Sequence, residues 1–306
     1  MSTSSPSAGP ASGFGIWLMA ARPRTLPAAA APVIAGTGVA YFAGVFQPGL
    51  ALAALAAALL LQIGANLAND VFDFQRGADT QHRLGPTRVT AAGLLTPRQV
   101  LAGMWATFGA AAVLGAYLAW VGGWPILLVG LASILAAIAY TGGPFPFGYY
   151  GLGDLFVFIF FGLAAVAGTY YVQAGAVSAL AWGAAVPLGL LATAIIVVNN
   201  LRDVDTDRAA GKRTLAVRLG PQGARWEYAL LVAGAYAAPV LLWAAGIAPG
   251  GALLTLVSLP RAVLWVRLVF SVSGRPLNAA LAGTGQLELL YALLFAAGLI
   301  LARWSG

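Results

Sequence analysis

Nine apolar runs, each close to the length that crosses a bilayer, limit what this chain can fold into. They lie near residues 28–46, 49–68, 99–120, 124–141, 151–172, 178–198, 228–247, 251–271 and 285–303. A spanning α-helix needs about 20 apolar residues. Runs this long, without alternation, do not make the strands of a membrane barrel. The expected fold is an all-α integral membrane protein with about nine transmembrane helices. Charge agrees: 8% of residues are charged, against about a quarter in soluble domains. The 39 glycines suit close helix–helix contact.

The basic residues orient the bundle. Arg22 and Arg24 precede the first run, and Arg76, Arg83, Arg88 and Arg98 follow the second. Arg202, Arg208, Lys212, Arg213, Arg218 and Arg225 follow the sixth, and Arg275 follows the eighth. Nine spans put all of these on one face, which the positive-inside rule makes cytoplasmic. The opposite loops, near 47–48, 121–123, 173–177 and 248–250, hold no Lys or Arg. The N-terminus is expected inside and the C-terminus outside. Arg261 sits within the eighth run. This distribution accounts for the net charge of +7 without a nucleic-acid partner. The absence of cysteine excludes disulfides and thiolate metal sites, and one histidine, His82, excludes a His-rich site. Residues 1–15 carry no charged side chain and read as a disordered tail. Residues 16–306 read as one membrane domain.

Against this background the acids are conspicuous. There are nine, and six fall in two short stretches, each following an apolar run that ends on the expected cytoplasmic face. The first, "ANLANDVFDFQRGADT" (65–80), holds Asp70, Asp73 and Asp79. The second, "VVNNLRDVDTDRAAGKRTLAVRLG" (197–220), holds Asp203, Asp205 and Asp207. Asn69 and Asp73 are four apart, as are Asn199 and Asp203, and then Asp207. Residues i and i+4 share a helix face, so each stretch predicts a polar stripe. Asn66 and Asp70 make a parallel pair on a neighbouring face. The shared spacing points to a pseudo-repeat, with halves of approximately 16–172 and 173–306. Asp205, off the stripe, reads as a solvated residue.

Clustered carboxylates repel unless a cation sits among them, and no Lys or Arg is interleaved on the stripes. Oxygen-only ligands suit a hard cation such as Mg²⁺, which binds through a few carboxylates plus substrate phosphate. Two facing clusters therefore predict a clamp for a Mg²⁺-bound diphosphate. Arg83 and Arg88 beyond the first cluster, and Lys212 and Arg213 beyond the second, suit phosphate oxygens. A competing reading is an ion transporter using intramembrane carboxylates.

The stretches "RPRTLPAAAAPVIAG" (22–36), "NDVFDFQRGADT" (69–80), "GPTRVTAAGLL" (85–95) and "NNLRDVDTDRAAGKRTLAVRLG" (199–220) resemble the UbiA superfamily of intramembrane prenyltransferases. That superfamily carries an Asn-x-x-x-Asp-x-x-x-Asp first motif and an Asp-x-x-x-Asp second motif. Position 77 is Gly77 here, and the next carboxylate is Asp79. This variant looks like the menaquinone branch, in which Asp79 returns to the site by a turn at Gly77.

The resemblance implies helices around a central cavity capped by the motifs, in a bacterial cytoplasmic (inner) membrane. It implies a polyprenyl diphosphate donor, a 1,4-dihydroxy-2-naphthoate acceptor that loses its carboxylate, and Mg²⁺ held by Asn69, Asp70, Asp73, Asp79, Asp203 and Asp207. Asp73, Asp79, Asp203, Asp207 and Lys212 would be catalytic. Asn66, Asn69, Arg83, Arg88, Asn199, Arg213, Tyr140 and Tyr149 would bind substrate. Tyr140, Phe145, Phe147, Tyr149 and Tyr150 are candidates to face an allylic cation, or else an interfacial belt, and Asp154 a candidate to orient the acceptor or serve a helix N-terminus. Another aromatic acceptor is the alternative within the same superfamily.

Overall fold

The computed structural model describes residues 13–78 and 84–305. The expected tail up to residue 12, and the candidate residues Asp79 and Arg83, lie outside the described residues. Residues 13–15, assigned to that tail, already form the start of a helix.

The described chain is helical throughout. In order come α1 (Gly13–Ala21), α2 (Leu26–Ala43), α3 (Pro48–Gln75), α4 (Pro97–Gly122) and α5 (Trp124–Ala139). Then come α6 (Gly153–Val157), a π-helical stretch (Phe158–Ala167), α7 (Gly168–Ala174), α8 (Ala179–Arg202) and α9 (Val204–Ala209). The chain closes with α10 (Leu215–Ala244), α11 (Leu259–Ser271) and α12 (Leu277–Ser305). Among the described residues, eight helical segments are long and apolar enough to cross a membrane. The 16-residue apolar α5 makes the ninth. The expectation of about nine spans in an all-α membrane protein holds.

Local chemistry sets many of the boundaries. Proline occupies the first turn of α3, α4, α5 and α11, where its missing N–H costs nothing. Thr96 and Gln99 form a reciprocal capping box at the start of α4, satisfying two otherwise orphaned donors. Ser178 and Thr214 cap α8 and α10 through their hydroxyls. The eighth span is composite: a 3₁₀ stretch (Gly250–Ser258) runs into α11. Arg261 lies in the first turn of α11 and is exposed there.

The spans pack into one bundle. Helix α12 lies against α2, α8 against α10, and α3 against α4. The Arg303 guanidinium, at the end of α12, donates to the carbonyls of Tyr41 and Phe42, at the end of α2. The opposite end of α2 is tied to α3 by Asn66, which donates to the Ala21 carbonyl at 3.0 Å and to Thr25 Oγ1 at 2.9 Å. The C-terminus therefore lies at the end of the bundle away from Asn66 and the acidic stretches.

An apolar cavity of about 440 Å³ runs between α3, α4, α5 and the π-helical stretch. It reaches from Asn69 and Tyr140 at the acidic end to Leu118 and Ile126 at the other. Small side chains such as Ala57, Ala112, Gly115 and Ala137 leave the space open. The π-helical turns, wider than α-turns, bring Phe160 and Phe161 to its wall. On the far side of this segment, Gly162 packs on Gly189 of α8. A Cβ at position 162 would meet the Gly189 Cα at 2.6 Å.

Candidate active site

Helix α3 continues through the first acidic stretch, so Asn66, Asn69, Asp70 and Asp73 all project from its last turns. The helix then stops at a Schellman motif. The Ala78 amide donates to the Asp73 carbonyl at 2.9 Å and the Gly77 amide to the Phe74 carbonyl at 3.0 Å. Gly77 supplies the left-handed residue with φ 68°, a conformation that glycine adopts without Cβ strain. The expected turn at Gly77 is therefore present.

The second stretch ends on the same device. The Lys212 amide donates to the Asp207 carbonyl at 2.9 Å, and the Gly211 amide to the Arg208 carbonyl at 3.2 Å, with Gly211 at φ 76°. By this geometry Asn69, Asp73 and Gly77 correspond to Asp203, Asp207 and Gly211. The expected match of Asn69–Asp73 with Asn199–Asp203 is displaced by one turn. The single stripe from Asn199 to Asp207 is also interrupted: α8 ends at Arg202 and α9 restarts at Val204, with Asp203 between them (φ −98°, ψ 10°). Asp205 is exposed and lies 3.6 Å from Arg208.

Lys212 joins the two clusters. Its Nζ lies 3.4 Å from Asp73 Oδ1 and 3.7 Å from Asp207 Oδ1. It also sits 4.5 Å from the centre of the Tyr149 ring, within cation–π range. Asp73 is buried and receives two more donors: Arg88 Nη2 on Oδ2 at 2.6 Å and the Tyr149 hydroxyl on Oδ1 at 2.6 Å. The stripes themselves carry no Lys or Arg, as the sequence reading has it. The cations are not interleaved in sequence, but the fold delivers them from other segments. In the second cluster, buried Arg202 grips the Asp203 carboxylate and also donates to Asn199 Oδ1 at 2.9 Å and Asn278 Oδ1 at 2.8 Å.

Several predicted residues hold the architecture rather than face the clamp. Asp70 accepts from the Val89 amide at 3.1 Å and the Thr90 amide at 3.0 Å, using both oxygens. These bonds fold the 84–96 segment over the cluster and carry Arg88 to Asp73. Arg22 Nη2 lies 3.7 Å from Asp70 as well. The Asn66 amide is spent on the α1–α2 junction. Arg213 is exposed, and its amide donates to the Tyr149 carbonyl at 2.7 Å, pinning the two loops together.

Asn69 lines the cavity and accepts from Thr141 Oγ1 at 2.9 Å. Of the five aromatic candidates, Tyr140 and Phe147 line the cavity. Phe145 and Tyr150 stack on each other at 4.3 Å in exposed positions, and Tyr149 serves the carboxylates. The Tyr149 phenol is pushed above its ordinary value by burial and then by the Asp73 charge. Sequence reasoning missed Arg202, Thr141 and Phe156, of which Phe156 also lines the cavity. Only Arg202 left a signal, its place beside Asp203.

A buried carboxylate group at helix ends, crowned by cations and set over an apolar cavity, matches a known family. The model of the UbiA prenyltransferase family matches residues 29–276. The chain belongs to the UbiA prenyltransferase family. Among its relatives, this UbiA protein is 42% identical to the 1,4-dihydroxy-2-naphthoate octaprenyltransferase of Mycobacterium tuberculosis over 95% of this chain and 99% of that one. It is 39% identical to the Escherichia coli protein of the same name over 94% and 96%. Its fold matches the structure of a UbiA homolog from Archaeoglobus fulgidus bound to GPP and Mg²⁺, with TM-score 0.68 and 16% identity, covering 93% of this chain and 99% of that one. The carboxylates of this UbiA protein sit at span ends, away from the midplane position usual for transporter sites.

Proposed function

We propose that the protein transfers the prenyl group of a polyprenyl diphosphate to 1,4-dihydroxy-2-naphthoate in a bacterial cytoplasmic membrane, with Mg²⁺, releasing diphosphate and CO₂. The observation that carries this reading is the convergence of Asp73 and Asp207 on Lys212, one turn beyond Asn69 at the cavity wall. The naphthoate acceptor is supported by the names of the relatives that align over nearly the whole chain.

The donor atoms fit the metal. Asn69, Asp73, Asp203 and Asp207 offer oxygen only, the preference of a hard cation. Mg²⁺ keeps several waters and is bound through one or two carboxylates together with substrate phosphate. We assign Asn69, Asp73 and Asp79 to one ion and Asp203 and Asp207 to the other. Bound there, the metal offsets the charge of the departing diphosphate.

The chain's own groups do the rest. Arg88, held on Asp73, and Lys212, held between Asp73 and Asp207, present cationic donors where diphosphate oxygens arrive, and Arg83 and Arg213 are assigned to the same oxygens. Arg202 and Asn199 fix Asp203, while Asp70 and Asn66 position the overlying segments. The apolar cavity takes the donor's hydrocarbon near the reacting carbon and excludes water that would capture an allylic cation. The faces of Tyr140, Phe147 and Phe156 favour that cation by cation–π attraction. The arginine-rich loops beside the motifs set this end of the bundle on the cytoplasmic side.

The test is turnover by purified protein supplied with polyprenyl diphosphate, Mg²⁺ and a panel of hydroxyarene acceptors. Wild-type protein is expected to form demethylmenaquinol, the reduced form of demethylmenaquinone. Asp73→Ala and Asp203→Ala are expected to lose that activity while remaining folded. Near-normal turnover in both variants would refute the clamp.

A further inference from the structure

The segment that carries Arg88 is held from two different helices. Asp70 of α3 takes the Val89 and Thr90 amides. The start of the segment is held by Asn278, in the first turn of α12. Asn278 Nδ2 donates to the Leu84 carbonyl at 3.0 Å. Its Oδ1 accepts from Arg202 Nη1 at 2.8 Å. One side chain thus ties the Arg88 segment, which serves the first acidic cluster, to the arginine that grips Asp203 in the second.

The chemistry of the two partners dictates the residue between them. A guanidinium only donates and a main-chain carbonyl only accepts. The side chain that joins them must therefore do both, with its oxygen toward Arg202 and its nitrogen toward Leu84. Asparagine does so; aspartate lacks the donor and leucine lacks both groups.

Two glycines mark how closely the pieces fit. A Cβ at Gly85 would stand 2.8 Å from Arg202 Nη2 and 3.1 Å from Arg202 Cζ. The backbone of the segment therefore lies directly on the guanidinium. Arg202 is 2% exposed, and it yields only by loosening its bonds to Asp203, Asn199 or Asn278. A Cβ at Gly274, in the turn before α12, would come within 3.9 Å of Leu84 Cδ1.

We propose that Asn278 is a positioning residue for the diphosphate: by joining Leu84 to Arg202 it sets Arg88 of the first cluster against Asp203 of the second. It acts through these two partners. This rests on the diphosphate binding in the function proposed above. A segment left loose at Leu84 has to be ordered when the ligand arrives, and that cost falls on binding. Loss of binding shared by ground state and transition state raises KM and leaves kcat unchanged.

The experiment uses full-length protein in detergent and the variants Asn278→Leu, Asn278→Asp, Arg88→Gln and Asn278→Leu/Arg88→Gln. Equilibrium binding of geranylgeranyl diphosphate is measured with Mg²⁺ and no acceptor. Kinetics follow with 1,4-dihydroxy-2-naphthoate, or whichever hydroxyarene the wild type prenylates. Asn278→Leu loses both bonds. Asn278→Asp keeps the acceptor for Arg202 and loses only the bond to Leu84. A carboxylate in the first turn of a helix is favourable, so Asn278→Asp is expected to melt no lower than wild type. Both variants are expected to bind the diphosphate about tenfold more weakly. KM for the diphosphate should rise by the same factor, with kcat and the acceptor KM unchanged. In the Arg88→Gln background Asn278→Leu should add little, because the two residues act on one segment.

Wild-type binding in either Asn278 variant would overturn the proposal. So would a fall in kcat or melting temperature with an unchanged diphosphate KM, which marks a purely structural residue, or fully multiplicative losses in the double variant. A wild type that binds the diphosphate but prenylates no acceptor would overturn the proposed function, and the binding results would still decide the role of Asn278. A wild type that does not bind the diphosphate would overturn both.

Discussion

Asp73 and Asp207 occupy the same place in two copies of one helix ending, each four residues ahead of a left-handed glycine. Lys212 touches both, at 3.4 Å and 3.7 Å. The lysine follows Gly211 directly, so the turn that ends the second stretch also aims the cation at the first. This relationship makes the two ends of the clamp mechanically dependent on one side chain.

Removing that side chain should therefore affect both clusters. A charge-assisted hydrogen bond is worth about 1.5–3 kcal/mol, or roughly tenfold to a hundredfold in rate. Lys212→Met is expected to lower kcat by that factor. Lys212→Arg should not restore it fully, because a planar guanidinium replaces a compact ammonium over the Tyr149 ring. Steady-state kinetics at saturating Mg²⁺ checks both variants.

The two glycines offer a backbone test. Among the described residues a Cβ at Gly77 or Gly211 meets no neighbour within 4 Å, so it is the left-handed conformation that opposes a side chain. Gly77→Ala and Gly211→Ala should each cost about 1–2 kcal/mol, with a lower melting temperature. Asn at either position should cost less, because it tolerates this conformation better. Thermal unfolding of the four variants gives the comparison.

Asp70 predicts a different phenotype from Asp73. Asp70→Asn keeps the shape but weakens two hydrogen bonds to buried amides, each worth about 1.5–3 kcal/mol when the acceptor is charged. The segment around Val89 and Thr90 should then exchange its amide hydrogens faster, and Arg88 should lose its hold on Asp73. Hydrogen exchange should show this protection lost in Asp70→Asn and retained in Asp73→Asn.

Tyr149 bears on pH dependence. Its phenol is raised above the ordinary value near 10 by burial and by Asp73. A raised folded-state value means that its contribution to stability is fully present below pH about 10. That contribution is lost only as pH rises from there through the folded-state value. Tyr149→Phe should lower turnover, through loss of the 2.6 Å bond to Asp73, without moving any pH limb below about 9. A pH–rate profile of the variant settles the point.

The membrane class, the spans and the two acidic stretches could be read from the chain because run length and acid scarcity are local properties. The register between the stretches could not. Matching asparagines favours Asn69 with Asn199, whereas the fold repeats the ending set by Gly77 and Gly211. The origin of the cations was also hidden. Arg88 reaches Asp73 only because Asp70 holds the Val89 and Thr90 amides, a contact no spacing rule anticipates.

The order in which Asp73 acquires its partners follows the order of synthesis. Arg88 lies 15 residues downstream, so it reaches the membrane with the hairpin of α3 and α4 and can shield that acid early in insertion. Lys212 arrives 139 residues after Asp73, once α8 is in place. A chain halted between these points would sit in the bilayer with its first carboxylates neutralised and no second wall against which to hold a diphosphate. Arg88 is thus the near-sequence partner of Asp73 and Lys212 the distant one, and both walls of the clamp are present only once the chain has been made through Lys212.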